Sequence, residues 1–529
     1  MREAKRVCWI TLTLLFVLLC EAYAGGSTNV PLHNWTYFAN QWDWSYEAIK
    51  KIASAGLVEG AVLNTKPMSR MEMARIVARA MDRFQGDVTW AYKDQKDLEA
   101  TVRDLIEEFE PELASLGVEP VLKKVKPPPF FFLKPVDKIE ARFGYSEGDF
   151  RRENSQGELL REGLNSRFAF SSRAQLGDFL SLYGHPEFLL NEEESKGRLV
   201  EGYLKLTYYN VELEVGRESV WWGPGFHGAM LFSNNAEPLD LVKLSSAEPF
   251  PLPWFLKSLG PVKLTFFLAR LEKDRDFPRA KLAAWRINFT PSPLIEVGVA
   301  RVVQFGGKGR PTVKWQDIPK ILVESNDKPE SKFNTNQIYS IDATLRLRDI
   351  GRYVPIARDL EVYGELGVDD TCCEDVFWPL KPAFLVGMYT PNLFQRPNMD
   401  FRVEYTLTTS NSFTHGIYST GYSYKGNPIA HFIGTKGDDL YMRFTRRLDN
   451  NWLLGLEADN ATVGSTQVGQ AFGTKEKRKF AGIDISYRYS KPWSFFAAYR
   501  LQRTENIGFV SGKDDTNNVL TLGVTHSFR

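Results

Sequence analysis

The sequence has little cysteine, and this shortage excludes a fold built on disulfide bonds. Only four cysteines occur among 529 residues. Cys8 and Cys20 fall within the first apolar run, which leaves the adjacent pair Cys372 and Cys373. Two neighbouring thiols do not form a disulfide framework, and no CxxC or HExxH metal pattern occurs. We predict no cofactor and no metal site. The pair is either a strained disulfide, a link between chains or two incidental loop cysteines.

An excess of one charge is also missing, as is a second long apolar run. The 66 basic and 65 acidic residues leave a formal charge of +1, which argues against a nucleic-acid-binding protein. After the N-terminal segment no run of ~20 apolar residues occurs, so we expect no transmembrane helix. Only helices and closed barrels satisfy every backbone group in lipid, so an exported chain of this kind is either soluble or a β-barrel.

Residues 1–24 are predicted to be a secretory signal peptide. Basic residues precede the apolar core "VCWITLTLLFVLLC", and "AYA" fits a small-x-small cleavage site. One alternative is a lipoprotein signal with Cys20 as the lipidated residue, although the bulky Leu19 argues against it. An uncleaved anchor helix is a second alternative, for which the apolar run is short.

Residues 34–85 contain two amphipathic helices separated by a glycine-containing loop. In "SYEAIKKIASAGLVEG" the apolar residues recur at helical spacing, and Gly56 is a stop signal. In "SRMEMARIVARAMDRF" Ser69 followed three residues later by Glu72 makes a capping box. Residues 95–129 continue with a third amphipathic stretch and the proline-rich spacer "KVKPPPFFFLKP", where we place a domain boundary.

The first of these segments resembles an S-layer homology (SLH) module. The residues that match the family pattern are Trp44, Tyr46, Ala48, Ile49, Gly56, Gly60, Pro67, Ser69, Arg70 and Glu72. SLH modules bind cell-wall polysaccharide, so the resemblance implies that Ser69, Arg70 and Glu72 contact peptidoglycan or a wall-linked polymer. An arginine at a helix start also suits an acidic glycan. The alternative is that Arg70 and Glu72 only cap and pair the helix.

From about residue 130 to the end, the apolar period changes to two. The alternating runs include "EGYLKLTYY", "VELEVG", "AAWRINF", "LEVYGELGV", "DFRVEYTL" and "AGIDISYRY". One face of each run is apolar and the other is polar or charged, which is typical of an outer-membrane barrel with a polar lumen. A soluble β-sandwich would also alternate, but the density of Arg and Glu on the polar face favours a wide, wet lumen.

The C-terminus and the chain length fit the same architecture. In "NNVLTLGVTHSFR" the apolar residues share one face and an aromatic residue stands next to the end. This resembles the terminal-strand signal of outer-membrane barrels, from which Arg529 is a small departure. The length of the region allows about 16 to 18 antiparallel strands, an even number as expected.

The stretch "GRESVWWGPGFHG" and its surroundings resemble the capsule-assembly (Wzi) family of outer-membrane barrels. The matching residues are Gly216, Arg217, Trp222, Gly223, Pro224, Gly225, Leu231, Ser233, Asn235, Ala236, Pro238, Leu259, Gly260, Pro261, Leu271, Glu272 and Arg275. The resemblance implies an eighteen-stranded barrel that holds capsular or other exopolysaccharide at the cell surface and acts as a lectin. The SLH-like segment is a departure from this family.

Aromatic and amide side chains in this stretch are the candidate saccharide site. The candidates are Trp221, Trp222, His227, Asn234 and Asn235. Exposed tryptophans stack on sugar C–H faces, and amides bond hydroxyl groups. The alternative is that WGPG is a structural turn or a lumen plug whose aromatic side chains only pack.

Catalysis finds less support in the sequence. No nucleophile elbow accompanies His227, and no pair of carboxylates stands out for glycoside hydrolysis. The acidic stretch "DDTCCED" offers calcium ligands, but a solvated loop is the simpler interpretation because no EF-hand surrounds it.

We therefore predict an all-β transmembrane barrel, residues 130–529, with a small α-helical periplasmic domain, and no enzyme activity. Its predicted partners are outer-membrane lipid, capsular or exopolysaccharide and a wall polymer, with no nucleic acid. A wall-tethered diffusion porin is the alternative. The two functions differ in ion conductance and in glycan binding.

Overall fold

A closed antiparallel β-barrel of 18 strands forms the body of the protein, as predicted. The computed structural model describes residues 28–32, 43–86, 96–122, 125–126, 128–322, 331–369, 382–471, 473–490 and 492–528. The predictions for the signal peptide and for Cys372 and Cys373 lie outside these residues. The strands are β1 (Phe131–Ser146), β2 (Gly163–Leu176), β3 (Leu180–Leu190), β4 (Ser195–Tyr208), β5 (Val211–Glu218), β6 (Leu239–Ser246), β7 (Pro261–Arg270), β8 (Lys281–Ser292), β9 (Ile295–Phe305), β10 (Asn336–Leu347), β11 (Leu360–Asp369), β12 (Ala383–Thr390), β13 (Met399–Leu407), β14 (Asp438–Arg447), β15 (Trp452–Val463), β16 (Glu476–Arg488), β17 (Trp493–Glu505) and β18 (Asp515–Ser527).

Strand β18 closes the barrel by pairing with β1, where His526 lies opposite Ile139. Each strand neighbours the next along the chain, so the connections alternate between the two ends of the barrel. At one end most are short, as at residues 209–210 and 293–294, and at the other end long loops such as residues 219–238 and 408–437 occur. We refer to these as the short-turn end and the long-loop end.

Side chains alternate between an apolar outer surface and a charged lumen. On β4, Leu204 and Leu206 are exposed outside the barrel while Lys205 is fully buried inside. On β11, Val362 points outward, and Glu361 and Glu365 are buried. This confirms the period-two prediction, since a strand places successive side chains on opposite faces.

Six α-helices are present among the described residues. They are α1 (Trp44–Ser54), α2 (Arg70–Gly86), α3 (Lys96–Glu108), α4 (Glu110–Ser115), α5 (Glu119–Leu122) and α6 (Ile318–Ile321). The Asp43 side chain caps α1 by accepting the backbone N–H of Ser45 at 3.0 Å. Pro111 stands in the first turn of α4, where its missing N–H has no helical partner to lose. None of the described helices is long and apolar enough to cross a bilayer.

Helices α1 to α3 dock against the lumen wall near the short-turn end. Glu47 of α1 pairs with Arg402 of β13 at 2.8 Å, and Lys50 pairs with Glu361 at 2.8 Å. Lys51 donates a hydrogen bond to the carbonyl of Pro397 in a turn at that end. The physical reason is that wall charges facing the lumen need partners, and the polar faces of the helices supply them. We call helices α1 to α5 and the segments between them the plug.

Two ion pairs between the plug and the wall differ in burial, and we therefore expect them to contribute differently to stability. Glu72 and Lys263 are both nearly inaccessible at 2.6 Å, whereas Arg75 and Glu248 are each more than a third exposed at 3.2 Å. Lys263→Met leaves a buried carboxylate without its cation and is expected to cost about 3–5 kcal/mol. Arg75→Ala is expected to cost about 0–1 kcal/mol. Urea unfolding of the detergent-solubilised chain measures both.

The double variant Lys263→Met with Glu72→Met is the control. It should recover most of the loss, since an apolar pair of similar volume replaces a buried ion pair at little cost. Equal, small effects of Lys263→Met and Arg75→Ala would contradict the placement of the plug inside the lumen.

Candidate functional site

The loop between β5 and β6, residues 219–238, folds into the lumen rather than out into solvent. Its residues Trp221 and Trp222 form a two-stranded antiparallel sheet with Lys66 and Thr65 of the plug. The backbone N–H of Gly223 donates to the carbonyl of Asn64 at 2.9 Å. We call residues 219–238 the inward loop. This loop and the plug therefore meet through backbone hydrogen bonds in the middle of the barrel.

Both tryptophans are packing residues in this arrangement. Trp221 and Trp222 are 0% and 1% exposed. The Trp222 ring lies 5.0 Å from the ring centroid of Phe232 and 5.3 Å from that of Phe267 on β7. The ammonium group of Lys66 lies 5.8 Å above the Trp221 ring. The expectation that these rings are exposed for stacking on sugar needs correction, since no face of either ring is accessible.

Carboxylates of the wall hold the turn of the inward loop through its backbone. The side chain of Glu404 accepts the N–H groups of Phe226 and His227 at 2.8 and 3.0 Å. Glu365 accepts the N–H of Met230 at 3.1 Å. Glu404 and Glu365 lie on the polar faces of two alternating runs, so the pattern predicts that both side chains face the lumen. The pattern does not predict the backbone groups to which they bind.

A tight fit also explains the glycines of this turn. A Cβ atom added to Gly228 would lie 1.8 Å from Cδ2 of His431, and one added to Gly225 would lie 2.1 Å from the carbonyl oxygen of Gly228. A side chain at either position forces the turn apart. The glycines of "GPGFHG" therefore allow the turn to lie close to its neighbours, which fits the alternative that WGPG is a structural turn.

The predicted polar residues of the inward loop join it to other segments. The Asn234 amide donates to the carbonyl of Leu32 at 2.6 Å, and the Asn235 amide donates to that of Pro428 at 3.1 Å. The His227 ring stacks on Tyr441 of β14 with a centroid distance of 3.9 Å and an interplanar angle of 6°. All three side chains are buried. The structure brings the five candidates together, but in the interior.

At the long-loop end two lysines, Lys436 and Lys475, lie close enough for their charges to interact. Lys436 is exposed near the end of the loop 408–437, and Lys475 precedes β16. The Lys475 ammonium donates to the carbonyls of Thr435 at 3.1 Å and Ala471 at 2.7 Å. Burial and then the positive charge of Lys436 lower the pKa of Lys475. An anionic group placed between the two lysines relieves this repulsion. The sequence analysis missed this pair because the two residues lie on different loops.

The opposite end of the barrel holds a large recess. A cavity of about 500 Å³ lies between the plug and the wall near the short-turn end. Its lining mixes acids such as Asp43 and Asp400 with bases such as Lys138 and Arg402. No single sign of ligand charge is favoured by such a lining.

Comparisons with known proteins agree with this architecture. The model of the capsule assembly protein Wzi family matches residues 142–519. The chain belongs to the Wzi capsule assembly family. Wzi of Escherichia coli, described as a carbohydrate-binding outer-membrane β-barrel involved in group 1 capsule assembly, superposes with a TM-score of 0.67 and 17% identity. That match covers 96% of this chain and 100% of the Wzi chain. At that identity the likeness establishes the fold.

Other relatives are more distant or match in part. An uncharacterized 55.8 kDa protein in the cps region of Klebsiella pneumoniae is 31% identical over 110 residues. This match spans 21% of the chain and 22% of the Klebsiella protein. OprD of Pseudomonas aeruginosa is 10% identical and covers 74% of the chain and 94% of OprD with a TM-score of 0.44, a likeness too low to support an inference.

Within this Wzi-family barrel, the three SLH-like residues have structural contacts. Ser69 Oγ accepts the backbone N–H of Glu72 at 3.0 Å, which is half of the predicted capping box. The Glu72 carboxylate forms an ion pair with Lys263 and does not complete the capping box. Arg70 pairs with Glu112 at 2.6 Å and with Glu108 at 2.7 Å. The comparisons show no SLH module. Binding of a wall glycan by these residues stays a prediction.

Loss of the Trp222 ring should destabilise the barrel because the ring fills a closed space. Trp222→Ala is expected to cost about 3–5 kcal/mol as a buried aromatic truncation. The matched control is Trp254→Ala at the short-turn end, where the side chain is 87% exposed and the expected change is within about 0.5 kcal/mol. Urea unfolding compares the two. An unchanged stability of Trp222→Ala would contradict the packing role.

Proposed function

We propose that the protein binds an acidic capsular or exopolysaccharide at the long-loop end of an outer-membrane barrel and so holds it at the cell surface. The observation that carries this proposal is the occupied lumen, in which the plug and the inward loop meet through the sheet of Thr65–Lys66 and Trp221–Trp222. A barrel filled in this way suits attachment rather than diffusion. The carbohydrate binding of Wzi, a member of the same family, supports the same function.

The barrel's surface supports the membrane placement. Large apolar side chains such as Leu204, Val242 and Leu520 are exposed around the wall, and lipid is the solvent that accepts them. In such barrels the short turns face the periplasm and the longer loops face outward. This orientation puts the plug at the periplasmic side and Lys436 and Lys475 at the cell surface.

The lysine pair supports an acidic ligand. A uronate or other acidic substituent offers the carboxylate oxygens that ammonium groups bind by charge-assisted hydrogen bonds. Attachment to peptidoglycan through Ser69, Arg70 and Glu72 would first require their buried contacts to open. We therefore place the contact with the surface polysaccharide at the long-loop end.

The test is binding of the full-length barrel to the host's purified acidic surface polysaccharide. Lys436→Gln with Lys475→Gln is expected to weaken binding about tenfold at low salt, since each contact of this kind contributes ~1 kcal/mol or less when exposed, and the difference should shrink as salt screens the charges. The control is Lys257→Gln in a turn at the short-turn end, which should bind as the unmodified chain does.

Two outcomes would contradict the proposal. One is no saturable binding by a chain whose heat-resistant gel migration shows that it is folded. The other is binding that survives the lysine substitutions but is lost with Lys257→Gln, which would put the ligand at the opposite end of the barrel.

A further inference from the structure

Three buried ligand-type side chains converge where the inward loop meets the wall. His227 comes from the inward loop, Asp439 from β14 and Asp459 from β15. His227 Nε2 lies 2.7 Å from Asp459 Oδ2 and 3.8 Å from Asp439 Oδ2. One donor atom from each residue falls within 4.8 Å of the other two. The three side chains are nine-tenths or more buried.

Apart from the close contact between His227 and Asp459, the ligand-type atoms of the cluster have few of the partners that buried polar groups need. Among the described residues neither ring nitrogen of His227 makes a hydrogen bond, and the same holds for both oxygens of Asp439 and for Oδ2 of Asp459. His227 Nε2 and Asp459 Oδ2 lie 2.7 Å apart as an ion pair, and this contact leaves His227 Nδ1 and both oxygens of Asp439 without a hydrogen-bond partner among the described residues. Buried polar atoms are nearly always satisfied, so a cluster of orphans needs an explanation.

No arginine or lysine in the described part of the chain forms a direct ion pair with Asp439 or Asp459, although the charge of Arg478 acts on Asp459 from farther away. The ion pairs of Asp439 and Asp459 in the described part of the chain are with imidazoles alone. Nearby acids are different, since Asp484 pairs with Arg443 at 2.8 Å. Two carboxylates buried together are costly unless a cation lies between them.

The donor set and its spacing fit a first-row divalent metal ion. Imidazole nitrogen with carboxylate oxygen is a donor combination that zinc accepts. For bonds of ~2.0–2.2 Å the ligand atoms of a tetrahedral zinc site lie ~3.3 Å apart. The two distances from His227 Nε2, 2.7 and 3.8 Å, lie on either side of this value.

His431 stands next to the cluster but is not assigned as a ligand. Its Nε2 lies 3.7 Å from Asp439 Oδ2. Its Nδ1 accepts the backbone N–H of Ile433 at 3.4 Å, which leaves the proton of the neutral ring on Nε2. A protonated nitrogen does not bind a metal, so His431 is left out of the ligand set.

We propose that His227, Asp439 and Asp459 bind a divalent transition-metal ion, with zinc as the probe, and that this ion fastens the inward loop to strands β14 and β15. The ion supplies the missing partner of each orphan donor and compensates the two carboxylates. It is a structural clip, because its ligands come from a loop and from the wall that the loop must stay against. The inference is independent of the polysaccharide function.

The test is zinc binding by the full-length chain, first stripped with a chelator and then titrated. We expect about one zinc per chain by elemental analysis. His227→Gln and Asp459→Asn should each lower the affinity by at least the ~10–100-fold that loss of a supporting contact costs in metal sites. The control is His185→Gln, which removes a buried imidazole of β3 that lies outside the cluster, and should bind zinc as the unmodified chain does.

A second measurement separates the metal from a cluster that only shares protons. Zinc should raise the thermal unfolding temperature of the unmodified chain and of His185→Gln, and leave that of His227→Gln unchanged, since a ligand that binds only the folded state stabilises it. Absence of binding by a chain with heat-resistant gel migration would overturn the proposal. So would zinc binding that persists in both His227→Gln and Asp459→Asn.

Discussion

The interaction on which the structure depends is the pairing of charged lumen side chains with the segments inserted between them. Wall carboxylates accept backbone N–H groups from both insertions, as Glu296 does from Leu63 and Asn64 of the plug at 2.9 and 2.7 Å. Glu404 does the same for the turn of the inward loop. A carboxylate buried without such partners costs several kcal/mol. The wall, the plug and the inward loop are therefore stabilised together.

This dependence explains why the tryptophans are inside. The pair Trp221–Trp222 lies where the plug and the inward loop join, and its burial adds apolar contact to a lumen otherwise lined by charge. Stacking on sugar would require the joint to open. The long-loop end, where Lys436 is exposed and Lys475 is half-buried, is the place at which we propose the polysaccharide contact.

The barrel could be predicted from the sequence because its signal is local. Period-two alternation in runs such as "VELEVG" follows from the strand itself, and the C-terminal run predicted the closing strand that pairs with β1. Helices α1 and α2 were predicted for the same reason, since capping and helical spacing are properties of a short stretch. The Wzi-type motif also indicated the protein family, and the match to the Wzi family model over residues 142–519 confirms it.

The position of the plug and the chemistry of the site could not be predicted in this way. A helix face that carries Glu47 and Lys50 has the same pattern whether it meets water or the charged lumen of a barrel. The predicted site residues were brought together, but no pattern in the sequence distinguishes a buried tryptophan from an exposed one. His227, Asp439 and Asp459 are far apart along the chain, so no ligand spacing exists for a motif search to find.

The measurement that tests the central claim most directly is the ion conductance of the full-length chain in a planar bilayer. A variant lacking residues 34–125, shown to be folded by heat-resistant gel migration, serves as the reference for a lumen without the plug. An occupied lumen predicts no steady conductance from the full-length chain and a clear increase in the reference. Steady, porin-like conductance from the full-length chain would contradict the account.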